Sequence, residues 1–194
     1  MSFYEIYFGL SFIDPVITFE ANPSLQEYYV MSMIGYFLKV STEDLRTYVR
    51  NSTLLQERLD AWYQGDPDMA DVDKSWEGLL YILTGSGIAD DPKGGLAKIF
   101  NSERVIDEDQ DLGYGPANYV NPEEVAQLSK ELSAIDREDL ADRFDPDAMN
   151  EAGIYPEGWD DGDMLEYLLE HFDTLKDFYA LAAKESAAVI FYVG

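Results

Sequence analysis

The residues able to do chemistry gather in two stretches. The first, "DEDQDLGYGPANYV" at 107–120, alternates Asp107, Asp109 and Asp111 like the first three ligands of an EF-hand calcium loop. That loop also needs a glycine at its sixth position and a bidentate glutamate at its twelfth. Here those positions hold Leu112 and Asn118, so the sharp turn and the strongest ligand are both missing, and no metal site is assigned. A phosphate cradle fails too: Pro116 removes a backbone donor, and the carboxylates upstream repel an anion. Gly113 and Gly115 are expected to permit the backbone angles of a chain turn.

The second stretch is "ADVDKSWEGLLYILTG" at 70–85. Asp71 and Asp73 fall where a helix begins, and capping of free N–H groups explains both. The functional alternative joins Asp71, Asp73 and Lys74 to Tyr114 and Asn118 in one polar ligand-binding pocket. There carboxylate, ammonium and phenol groups would hold a small ligand or perform acid–base chemistry. Lys74, Gly78 and Tyr81 are expected on the face away from the Trp76 stripe, with Gly78 admitting a close neighbour.

His171 is the single histidine. Its helical neighbours Tyr167, Leu168, Thr174 and Leu175 include no second metal ligand. "TGSG" at 84–87 does not match the G-x-S-x-G nucleophile elbow, so pairing of Thr84 or Ser86 with His171 has no motif behind it. No catalytic residue and no cofactor is assigned.

Charge is the compositional outlier: 39 acidic against 13 basic residues, a net charge of −26. Residues 1–100 hold 15 acids and 7 bases, net −8, whereas 101–194 hold 24 and 6, net −18. Such a field repels nucleic acid and anionic lipid and attracts basic proteins. No cysteine is present, which excludes disulfides and thiolate chemistry. The first residues lack the basic start of a secretory signal, and the longest apolar run, 187–193, is too short to span a bilayer. A cytoplasmic protein is expected.

The elements that would position these residues follow from periodicity. Strands are expected over 3–13, 16–19, 33–40 and 187–193, and helices over 42–50, 53–63, 73–84, 122–134, 136–144 and 163–184. Residues 144–150, "FDPDAMN", read as a short capped turn of helix. The 163–184 helix carries Leu165, Leu168, Phe172, Leu175, Tyr179 and Ala182 on one seam. Helices and strands are segregated rather than alternating. The expected class is therefore α+β: a single compact domain with a small mixed or antiparallel sheet against several helices, the long C-terminal helix leading into a buried final strand.

"MIGYFLKV", "DVDKSWEGLLYILTG", "DLGYGPANYVNPEEV" and "IYPEGWD" occur in the order found in the YfbM-like family, a bacterial domain of unknown function. The resemblance covers about residues 31–194 and implies one α+β domain in a bacterial cytosolic protein. It supplies no mechanism. Relatives carry histidines in the tryptophan-bearing helix where this chain has Glu77 and Leu80, so chemistry resting on those imidazoles is not expected here. The resemblance also sets residues 1–30 apart. They are either a segment ahead of a start at Met31 or Met33, or an aromatic strand pair whose edges would join the domain's sheet or a second copy in a homodimer.

Two functional readings follow. One is a non-enzymatic module that captures a basic protein, in the manner of an immunity or inhibitor protein. The other is an enzyme or small-ligand binder built on Asp71, Asp73, Lys74, Tyr114 and Asn118.

Overall fold

The computed structural model describes residues 32–62 and 65–194. The strands expected over 3–13 and 16–19 lie outside the described residues.

The first element of the described residues is β1 (Gly35–Val40), in which all residues but Tyr36 are buried. Two short helices follow. α1 (Thr42–Arg50) is capped by Ser41, whose Oγ accepts from the Asp44 N–H; α2 (Ser52–Asp60) is capped by Asn51. β2 (Met69–Asp71) leads through a 3-10 turn at Asp73–Ser75 into α3 (Trp76–Thr84). A long connection containing two further 3-10 turns reaches β3 (Asn118–Val120). Next come α4 (Pro122–Ser133), α5 (Arg137–Ala141) and α6 (Pro146–Glu151). The long α7 (Met164–Lys184) then delivers the final strand β4 (Ala188–Val193).

The four strands form one antiparallel sheet in the order β2-β1-β4-β3. The two long strands sit in the middle and are covered on both faces, which is why they read as near-continuous apolar runs. Cross-strand partners share a face. Phe37 pairs with Ala70 and with Phe191, and Phe191 with Asn118, on the side of α3, α4 and α7. Leu38 pairs with Met69 and Ile190 on the opposite side, where Leu45 of α1 and Leu55 of α2 close a smaller core. The α+β class and the all-antiparallel sheet thus agree with the expected architecture.

Two differences have physical causes. The helix expected from residue 73 starts at Trp76, because Asp73 takes a φ of 46°, a left-handed angle that a continuing helix does not contain. α3 is also buried on nearly every side rather than striped. Gly78 faces Trp159 so closely that an added Cβ would lie 2.2 Å from the indole. The close neighbour that Gly78 admits is a core side chain.

Candidate functional site

The segment around Asp71 forms a tight polar corner. Asp71 ends β2, and its Oδ1 accepts from the Asp73 N–H at 3.2 Å. Tyr167 of α7 reaches across: its hydroxyl donates to Asp73 Oδ2 at 2.9 Å and accepts from the Lys74 N–H at 3.0 Å. Burial, and then the Asp73 carboxylate, push the Tyr167 phenol up, so it stays a neutral donor. His171, one turn further along α7, sets its ring edge-on to Tyr167 with centroids 4.7 Å apart. Burial holds the imidazole below its ordinary value, against the opposing pull of Asp73, Asp71 and Glu170. Neither the 3-10 turn nor α3 has a side-chain N-cap, so the two aspartates brace a strained bend and a tyrosine instead of capping a helix.

The glycine bend is likewise self-contained. Asp107 accepts from the Ser52 hydroxyl at 2.6 Å and from the Asp109 N–H at 3.0 Å. Asp111 Oδ1 accepts from the N–H groups of Gly113 (2.9 Å) and Gly115 (3.2 Å), which hold its carboxyl below the usual range. Gly113 (φ 124°) and Gly115 (φ 102°) adopt angles that favour glycine. A Cβ on Gly113 would also crowd the Gly194 Cα at 3.1 Å, so the bend rides on the end of β4. Among the described residues no group of three or more acidic or histidine side chains is arranged to hold a metal ion.

A cleft of about 480 Å³ opens where the 88–116 connection passes the β3–β4 end of the sheet. The core residues Trp76, Phe100 and Phe191 back the cleft, Tyr114 lies at the rim, and Lys93 and Glu103 bring charge. Its wall is pinned from below by Asn118, whose Nδ2 donates to the Phe100 carbonyl (3.1 Å) while Oδ1 accepts from the Ser102 N–H (3.3 Å). Ser102 Oγ adds a bond to the Tyr119 carbonyl at 2.7 Å. On the other side the buried Glu77 carboxylate receives the N–H of Ile88 (2.9 Å) and of Tyr155 (3.1 Å), fixing the connection to α3. From outside, Glu124 binds Lys98 (2.9 Å) and Arg104 (2.5 Å) and completes a capping box with Asn121. Burial would raise the Glu124 carboxyl, but those two cations and the Asn121 N–H outweigh it and bring it down to about 2.

The five residues singled out from sequence therefore occupy different places. Asp71 faces a recess of about 380 Å³ with Tyr36 and Trp62 on the α1–α2 side of the sheet. Asp73 and Lys74 meet at Tyr167, and Tyr114 and Asn118 line the cleft on the other side. Both polar ends of the Asn118 amide are engaged by backbone, so this residue shapes the wall. Sequence reading passed over Trp76 and Glu77 as cleft-forming residues. The Trp76 seam pointed to burial, and a glutamate at position 77 within an apolar helix was the available signal.

An antiparallel four-stranded sheet closed by a long C-terminal helix and its own last strand defines the α+β class of the molecule. The family model described as Domain of unknown function (DUF1877) matches residues 31–192. The chain belongs to that family. Protein YfbM of Escherichia coli strain K12 is 27% identical over 128 residues, covering 65% of this chain and 74% of that protein. The crystal structure of the Escherichia coli protein of unknown function YfbM superposes with a TM-score of 0.67 at 21% identity. It covers 84% of this chain and 100% of its own. At that identity the likeness speaks for the fold alone.

Proposed function

We propose that this is a cytosolic, non-enzymatic binding protein that captures a basic protein partner, in the manner of an immunity or inhibitor protein. The observation that carries the reading is the surface over α5, α6 and the loop before α7. Residues 136–166 hold twelve acidic side chains, all exposed, against Arg137 and Arg143. Arg137 is already engaged by Glu166 (2.5 Å) and Asp173 (2.9 Å), so the excess of negative charge faces outward. A field of one sign on a rigid surface steers an oppositely charged partner and accelerates its encounter.

The test is capture of proteins of high isoelectric point from the host lysate at low and at high salt. The comparison is a variant with Glu138, Asp139, Asp142 and Asp147 changed to their amides. Capture that falls at least about tenfold in the variant and steeply with salt is expected. Equal capture by both proteins, or binding indifferent to salt, overturns the reading.

A further inference from the structure

Tyr192, Tyr36 and Asp71 stand in one row across the sheet. Tyr36 of β1 is paired with Asp71 of β2 on one side and with Tyr192 of β4 on the other. Directly paired residues leave the same face, with neighbouring Cβ atoms about 5 Å apart. That face is the α1–α2 side, which Met69 shares. The rings of Tyr36 and Tyr192 stack with centroids 5.1 Å apart and planes 19° from parallel. Trp62, just beyond α2, stands against Tyr36 at 6.1 Å and an angle of 65°. Two rings set so steeply form a corner. A recess of about 380 Å³ opens there, lined by Tyr36, Trp62, Met69, Asp66 and Asp71, a size in the range of small-molecule sites. Trp62 is 40% exposed, so part of its indole is accessible from the recess side.

The two carboxylates of the recess differ. Asp66 is buried and already engaged: Oδ2 accepts from Arg58 at 2.7 Å and Oδ1 from the Asp68 N–H at 3.1 Å. Asp71 is exposed, and no ion pair among the described residues neutralises it. Its field reaches the ring beside it. Burial, and then the Asp71 and Asp73 carboxylates, push the Tyr36 phenol up, so that the hydroxyl stays neutral. Ring faces next to an unneutralised carboxylate attract a cation, and a net charge of −26 reinforces the preference.

Hydrogen-bonding capacity decides which cation. Asp71 Oδ1 is taken by the Asp73 N–H, which leaves Oδ2 as the carboxylate oxygen of the recess without a partner among the described residues. A primary ammonium has three donors to satisfy and holds its water tightly. A quaternary ammonium has no donors, and its methyl groups suit ring faces and the Met69 side chain.

We propose that this recess binds a small quaternary ammonium compound, its methyl groups against Trp62 and Tyr36 and its charge balanced by Asp71. Tyr192 and Asp66 act as positioning residues. Tyr192 backs the Tyr36 ring, and Asp66 ties α2 through Arg58 to the turn that enters β2. The recess shares no residue with the acidic shell over residues 136–166 and does not depend on it.

The experiment uses the full chain, labelled with nitrogen-15, and follows the Trp62 indole N–H resonance, assigned by its loss in Trp62→Leu. Choline is the ligand added. Its uncharged isostere, with a tert-butyl group in place of the trimethylammonium, is one control, and sodium chloride at matched concentration is the other. Saturable movement with half-saturation below about 10 mM choline is expected, with the isostere bound at least about fivefold more weakly. Asp71→Asn keeps Oδ1 for the Asp73 N–H and should weaken choline about fivefold while leaving the isostere unchanged. Trp62→Leu, an exposed change, should weaken choline about tenfold, read from the shifts of the Asp71 and Met69 amides. The variant with Glu138, Asp139, Asp142 and Asp147 changed to their amides should bind choline within about twofold of the unaltered chain. Choline that fails to saturate, sodium chloride that reproduces the movement, or an isostere that binds as well as choline overturns the proposal. So does undiminished binding by either single variant, or a loss in the fourfold variant as large as in Asp71→Asn, which would mark plain attraction to a negative surface.

Discussion

The corner around Asp73 and the cleft beside Asn118 invite comparison, because one is dense in polar residues and the other is mostly aromatic. In the corner each carboxylate has a local donor: Asp71 takes the Asp73 N–H, Asp73 takes the Tyr167 hydroxyl, and that hydroxyl takes the Lys74 N–H. In the cleft the polar groups at the base hold the walls, and the buried donor that remains, Trp76 Nε1–H, belongs to a residue that looks like core. Density of charged letters along a chain therefore marks a place where the backbone bends as readily as a place where a ligand binds. What distinguishes the two is whether the hydrogen-bonding capacity is already met.

This contrast can be broken at several points. The largest effect is expected at Glu77→Ala, which leaves the half-buried Ile88 and Tyr155 N–H groups without their acceptor and detaches the connection from α3. A loss of about 3 kcal/mol in denaturant unfolding is expected, partly restored by Glu77→Gln. A loss below about 1 kcal/mol would mean that the cleft wall is held elsewhere. Asn118→Ala removes two bonds to the opposite wall at Phe100 and Ser102 and should cost about 2 kcal/mol, with faster hydrogen exchange at the Ser102 amide than at Lys74.

The Glu124 clamp adds a pH signature. Its folded carboxyl lies near 2, below the ordinary 4.5, so its contribution is fully present above pH 4.5 and disappears as pH falls from there toward 2. Glu124→Gln should therefore flatten acid unfolding in that window and cost about 2 kcal/mol at neutral pH; identical acid profiles would remove the clamp from the account. The smallest effect is expected at the corner, where Tyr167→Phe removes the hydroxyl shared by Asp73 and Lys74. A loss of about 1 kcal/mol in denaturant unfolding is expected.

Much of the architecture was readable because its causes are local. The α7 seam repeats every three or four residues, and Asn121-Pro122-Glu123-Glu124 spells out a capping box within four positions. β2 and β3 escaped notice because each has only three residues, too few to show alternation, and is defined by the strand beside it. The candidate site was less legible. Asn118 stood out as a polar residue near a glycine bend, but its partners Phe100 and Ser102 lie 18 and 16 residues away. Asp73 meets a tyrosine 94 positions further along the chain. Spacing cannot announce such pairs.

By itself the sequence determined the helices, the two central strands, the α+β class and the excess of negative charge, since propensity, capping and periodicity act over a few residues and charge simply adds. Tertiary structure alone decided which polar groups are already paired and which face a cavity. Hydrogen-bond satisfaction depends on atoms brought together from distant parts of the chain, and the sheet register put Asp71 on one face and Asn118 on the other.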